Sequence, residues 1–212
     1  MMFELLLITN RNISRRPFSY TVEAALEGGV DAVQLREKDL TSKELFAIAD
    51  EFRKLTTTFD AKLIINDRVD VALAVDADGV HLGWRSMPIA KVRALVGPEK
   101  FIGYSAHNLQ EAKNAQDAEA DYITLSPIYE TRSKRVTPIG VGMIATLKKE
   151  VNIPVIALGG IDESNVDKTL RNGADGVAVI SGILTSENPF ETASRLCHKI
   201  NHFKKQVQQG VI

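Results

Sequence analysis

The chain has 212 residues, the size of one large domain rather than two. Its 26 Lys and Arg nearly balance 27 Asp and Glu, a formal charge of −1, so no basic excess draws the whole surface to nucleic acid or an anionic membrane. With 44% apolar and 25% charged residues, the composition is that of a soluble globule with a sizeable core, which excludes disorder, collagen and coiled coil.

The N-terminal stretch, residues 1–9, is apolar but short. It carries Glu4 and lacks the basic start and small-residue cleavage site of a signal peptide. No apolar run approaches the ~20 residues of a membrane span, and the protein reads as cytoplasmic. Eight short β-rich runs follow one another along the chain: residues 5–9, 32–36, 62–66, 79–82, 101–104, 122–125, 154–158 and 176–180. Several are apolar on consecutive residues, as parallel strands covered on both faces are. Helical patterns lie between them. In residues 42–59, Leu45, Ile48, Ala49 and Phe52 recur at helical spacing, Thr41 or Ser42 is placed to cap, and Glu44 and Glu51 fall to the solvent side. Residues 190–203 read as a helix holding Cys197, the one cysteine, which forms no internal disulfide and reads as a packed thiol. The polar residues 204–212 are expected to fray.

Eight strand–helix alternations in one domain spanning 1–212 fit an α/β fold, a parallel (β/α)8 TIM barrel near its lower size limit. The competing doubly wound sheet is expected to show a GxGxxG after its first strand, and Thr9-Asn10-Arg11 is not one. A weak internal repeat supports the barrel: Asp31, Asp78, Asp121 and Asp175 each open an even-numbered strand after an Ala- or Gly-containing turn. These aspartates sit at the strand entry, away from barrel chemistry, and read as architecture.

Barrel enzymes build their sites at strand C-termini and in the loops that follow. Those positions here collect Gln34, Arg36, Lys38, Asn66, Asp67, His81, Ser105 and His107, with Thr131, Arg132, Ser133, Lys134 and Arg135 in the sixth loop. Gly159-Gly160 and Ser181-Gly182 follow strands seven and eight, where barrels commonly present backbone N–H groups to a phosphate. Arg36, Lys38 and Lys134 together suit a diphosphate. Asp67 beside Asn66 suits Mg²⁺, or Asp67 pairs with Arg68 or caps the next helix. His81 is either a hydrogen-bonded core histidine or a catalytic one, and His107 shapes its loop.

The blocks Gln34-Leu35-Arg36-Glu37-Lys38, Ile65-Asn66-Asp67-Arg68, Gly79-Val80-His81-Leu82-Gly83, Gly103-Tyr104-Ser105-Ala106-His107, the sixth loop from Ser126 to Lys134, Ala157-Leu158-Gly159-Gly160-Ile161 and the strand ending in Ile180-Ser181 come in one order. In that order the chain resembles the thiamine-phosphate synthase (thiamine-phosphate pyrophosphorylase) and thiazole tautomerase family. The resemblance implies a transferase that moves a hydroxymethylpyrimidine from its diphosphate to the nitrogen of a thiazole phosphate, releasing pyrophosphate, with Mg²⁺ as cofactor. It implies that Gln34, Arg36, Lys38 and Asn66 hold the pyrimidine diphosphate, Asp67 the Mg²⁺, and Ser105 and Lys134 the diphosphate side. Thr131, Ser133, Gly159, Gly160, Ile180 and Ser181 then receive the thiazole phosphate.

Two departures stand out. Where synthases have Gln-x-Asp after His-x-Gly, with the Asp as second Mg²⁺ ligand, this chain has Trp84-Arg85-Ser86. Ser86 thus takes the place of a metal ligand, and Trp84 either anchors the loop or narrows the pyrimidine pocket. Where tautomerases have a histidine in the sixth loop, this chain has Pro127. The alternatives to a synthase are a tautomerase-like paralogue and a non-catalytic thiazole-phosphate-binding protein. Small phosphorylated molecules are the expected partners, neither nucleic acid nor membrane is, and a homodimer is the default assembly.

Overall fold

The eight β-rich runs pair in parallel and in chain order until the last meets the first; the computed structural model describes residues 3–131 and 136–210. The strands are β1 (Leu5–Ile8), β2 (Ala32–Leu35), β3 (Lys62–Asn66), β4 (Gly79–Leu82), β5 (Phe101–Ala106), β6 (Tyr122–Leu125), β7 (Val155–Leu158) and β8 (Gly176–Val179). Between and after them run α1 (Phe18–Glu27), α2 (Ser42–Thr58), α3 (Val69–Ala74), α4 (Ile89–Val96), α5 (Leu109–Asp117), α6 (Gly142–Leu147), α7 (Val166–Arg171), the short α8 (Ser181–Leu184) and α9 (Pro189–Gln208). The (β/α)8 barrel expected from the alternation is the fold, and no helix among the described residues is long and apolar enough to cross a membrane.

Strand parity divides the core in two, because successive side chains point to opposite faces. Leu5, Leu7, Val33, Leu63, Ile65 and their counterparts face outward and pack under the helices. Leu6, Ile8, Ala32, Tyr122, Ile156 and Ala178 face inward with Phe3 and fill the barrel. Toward the C-terminal mouth the same inward parity carries polar residues on β2 to β6, and this is where the site forms.

The repeated aspartates close the opposite end. Each accepts an amide from the first or second residue of the preceding odd strand: Asp31 from Leu5, Asp78 from Leu63, Asp121 from Ile102 and Asp175 from Val155, all at 2.7–2.8 Å. Asp78, Asp121 and Asp175 also pair with Arg53, Arg93 and Lys148. An edge amide that would lack a partner is satisfied, and the strand register is pinned four times around the barrel.

Two local expectations need correction, while the cap of α2 is as expected: Thr41 and solvent-exposed Glu44 form a reciprocal capping box, the Glu44 carboxylate accepting the Thr41 N–H at 2.9 Å. The C-terminal polar stretch does not fray from residue 204, since α9 continues to Gln208 with Lys204 paired to Glu4. β1 and β2 each stop a residue earlier than expected, and where their pairing ends the Thr9 hydroxyl accepts the Arg36 N–H at 2.9 Å.

Candidate active site

The floor of the site follows from parity and register. Ile8 pairs with Gln34, Asn66 with His81, His81 with Gly103, and Ser105 with Thr124. Their inward side chains, with Leu158 and Ile180, line a cavity of about 300 Å³ at the barrel mouth. One half is polar and the other, Ile8, Leu158 and Ile180, is apolar, which suits a flat heteroaromatic ring carrying a few hydrogen-bonding groups. Gln34 is 1% exposed and gives its amide to Asn66 at 3.3 Å, while its Oε1 has no partner among the described residues. A buried acceptor left unpaired costs about 1–3 kcal/mol, so this oxygen is arranged to receive a donor from a ligand.

His81 is buried beside it. Its Nδ1 lies 3.0 Å from the Tyr122 hydroxyl and its Nε2 lies 2.9 Å from Ser105 Oγ. Burial, with the nearby Arg36 charge, pushes its pKa down to about 3, so the imidazole is neutral at physiological pH. Of the two sequence readings of His81, the structure shows the hydrogen-bonded core residue. His107, exposed at the rim, is tied to Glu111 at 2.9 Å.

A second cavity of about 160 Å³ adjoins the first and shares Arg36, Asn66, Ser105 and His107 with it. Lys38, Asp67, Trp84, Arg85 and Ser86 complete its wall. Arg53 pairs with Asp78 and Arg93 with Asp121, whereas neither Arg36 nor Arg85 has a carboxylate partner among the described residues. The Arg85 guanidinium instead stacks 4.5 Å from the centroid of Trp84, which is 75% exposed. Trp84 is thus neither a packed anchor nor part of the 300 Å³ cavity; it braces a cation at the outer rim.

Asp67 neither pairs with Arg68 nor caps α3. Arg68 turns to Asp70, while Asp67, in the left-handed region at φ 62°, accepts from the Asn66 amide at 3.1 Å and from the Ser86 hydroxyl. Ser86 also accepts the Gly83 N–H at 2.6 Å. The substituted position therefore does touch Asp67, and the donor set is one carboxylate and one hydroxyl, all oxygen. That set fits Mg²⁺, which keeps several waters and substrate oxygens in its shell. Among the described residues no cluster of three or more His, Cys, Asp or Glu is arranged to hold a metal.

On the far side of the mouth, Thr131, Gly159, Gly160, Ile180, Ser181 and Gly182 line a small recess. Gly159 and Gly160 have φ of 103° and 66°. A Cβ on Gly160 would lie 2.4 Å from the Glu130 carbonyl. The Gly160 carbonyl accepts from Asn165 at 2.8 Å, and the Gly160 amide has no acceptor among the described residues. An open backbone amide beside exposed Ser181 is the arrangement by which barrel loops seven and eight hold phosphate. Ser133 and Lys134 lie outside the described residues.

A family profile described as thiamine monophosphate synthase matches residues 5–183. The chain belongs to this family. The thiamine-phosphate synthase of Desulfitobacterium hafniense strain Y51 is 42% identical over 197 residues, covering 92% of this chain and 95% of the relative. That of Clostridium acetobutylicum is 41% identical over 187 residues, 87% of this chain and 89% of the relative. A solved thiamine phosphate pyrophosphorylase from Pyrococcus furiosus superposes with a TM-score of 0.88 at 38% identity, covering 95% of this chain and 97% of that one. The chain is a transferase of the thiamine-phosphate synthase type.

Within this synthase-type barrel, two residues passed over in the sequence hold the site together. Glu37, buried between Arg36 and Lys38, accepts from the Thr9 hydroxyl at 2.7 Å and from the Arg11 amide and guanidinium at 3.0–3.1 Å. It locks the loops after β1 and β2 together, which holds Arg36 at the mouth. Arg11 in turn holds the Asp39 carboxyl down to about 2 through their paired hydrogen bonds. The alternation Gln34, Arg36, Lys38 against Glu37 was the available signal. Tyr122, beneath His81, had none: it reads as one more apolar strand residue until the barrel closes.

Proposed function

We propose that this enzyme joins the hydroxymethylpyrimidine of a pyrimidine diphosphate to the ring nitrogen of a thiazole phosphate, giving thiamine phosphate and pyrophosphate. One observation supports the reading: a cavity with apolar and hydrogen-bonding walls lies between the cationic Arg36/Lys38/Arg85 rim and the Gly160/Ser181 recess. Two phosphorylated substrates would meet there with their rings in the middle.

The C–O bond to the diphosphate breaks with its electron pair leaving on oxygen, and the thiazole nitrogen lone pair forms the new C–N bond. Gln34 Oε1 accepts the exocyclic amine of the pyrimidine and sets the ring against Asn66. Arg36, Lys38 and Arg85 neutralise the departing diphosphate, and Ser105 meets it at the junction of the two cavities. Gly160, Thr131 and Ser181 hold the thiazole phosphate so that its nitrogen faces the reacting carbon, exchanging bimolecular encounter for positioning. Asp67 and Ser86 would hold Mg²⁺, which supplies charge neutralisation of the diphosphate oxygens when bound. Pro127 offers no proton carrier for the tautomerase alternative.

Thiamine phosphate formed from the two purified substrates, with and without Mg²⁺, tests this directly. Mg²⁺-dependent product is expected, and Arg36→Ala is expected to lower kcat/KM on the order of 100-fold. Undiminished turnover in that variant would overturn the assignment.

A further inference from the structure

Beneath the cavity, Tyr122, His81 and Ser105 form a hydrogen-bonded row across three strands. Tyr122 is fully buried, and the only hydrogen-bond partner of its hydroxyl among the described residues is His81 Nδ1 at 3.0 Å. A buried hydroxyl proton with no acceptor is costly. If Nδ1 carried the imidazole proton and donated it to Tyr122, the phenol proton would have nowhere to go. Tyr122 therefore donates, Nδ1 accepts, and the neutral ring carries its proton on Nε2. That N–H points to Ser105 Oγ at 2.9 Å, with Thr124 Oγ1 more distant at 3.4 Å. Ser105 Oγ thus accepts from the protein, and its own proton has no protein acceptor among the described residues. Ser105 borders both cavities.

We propose that Tyr122 and His81 are positioning residues that fix the direction of this row, so that Ser105 is a hydrogen-bond donor toward the departing diphosphate. With the opposite tautomer Ser105 would spend its proton on Nε2 and present only lone pairs to a leaving group gaining negative charge. The site is built for the row. Gly103 stands between His81 and Tyr122 in the register, and a Cβ there would lie 2.1 Å from Tyr122 Cζ and 2.5 Å from His81 Nδ1. A glycine is what lets the phenol reach across β5.

The role of Ser105 rests on the synthase reading, but the direction of the row is tested without substrate. Long-range ¹⁵N–¹H spectra of the wild-type protein at neutral pH are expected to show His81 protonated on Nε2; protonation on Nδ1 overturns the proposal and needs no variant. Tyr122→Phe removes one oxygen and is expected to shift that tautomer and to lower kcat by about 10- to 100-fold. KM for both substrates is expected to stay within about twofold, since ground-state contacts are untouched. In a Ser105→Ala background the same change is expected to cost nothing further, and an additive loss, or an unchanged kcat in Tyr122→Phe, overturns the proposal. Should the wild type form no thiamine phosphate, the synthase reading fails while the tautomer spectrum still decides the direction of the row.

Discussion

Acidification tests the burial of His81 quantitatively. In the unfolded chain a histidine titrates near its ordinary value of about 6.5, whereas burial and the Arg36 charge bring the folded pKa down to about 3. Between those values the unfolded state holds a proton that the folded state does not, so stability is full above pH ~6.5 and falls as the pH drops toward 3. The slope is about 1.4 kcal/mol per pH unit for one proton, which integrates to about 2–3 kcal/mol between pH 7 and 4.5. Against a typical total of about 5–15 kcal/mol, one side chain supplies a measurable share of acid lability. The groups facing it are Tyr122 on β6 and Arg36 after β2; neither titrates in this window, the phenol being pushed up by burial. Urea unfolding of the wild type and of His81→Asn at half-unit steps from pH 7 to 4.5 is the assay. The variant is expected to be less stable at pH 7 and to show a slope flatter by about one proton. Parallel curves would refute the reasoning, since they would mean that His81 binds its proton equally well in both states.

Gly160→Ala places a Cβ 2.4 Å from the Glu130 carbonyl in a residue at φ 66°. It is expected to cost about 1–3 kcal/mol in urea unfolding and to weaken inorganic phosphate binding measured by calorimetry; wild-type affinity for phosphate would remove the recess from the site. Ser86→Asp sets a second carboxylate against Asp67, whose oxygen Ser86 now contacts. Mn²⁺ affinity, read by electron paramagnetic resonance without substrate, is expected to rise about 10- to 100-fold, and an unchanged affinity would show that Asp67 and Ser86 do not form a metal site.

The architecture was legible because it is local chemistry repeated. Eight apolar runs spaced by helical patterns point to a closed parallel barrel, and an aspartate recurs at the entry of each even strand. The placement of Arg36, Lys38, Gly159 and Gly160 was legible for a related reason: they sit at strand exits, which this fold gathers at one mouth. Closure of the barrel decided the rest. Period-2 alternation says which residues of each strand share a face with Gln34, Asn66, His81, Ser105 or Tyr122, but not that Gly103 lets Tyr122 reach His81, nor that Gln34 is left with an unanswered oxygen. Glu37 shows the same limit, a carboxylate among ligand-like residues whose partners, Thr9 and Arg11, lie more than twenty residues away. Contacts between distant segments depend on register and on the space left by neighbouring side chains, and a linear sequence carries neither until the eighth strand has met the first.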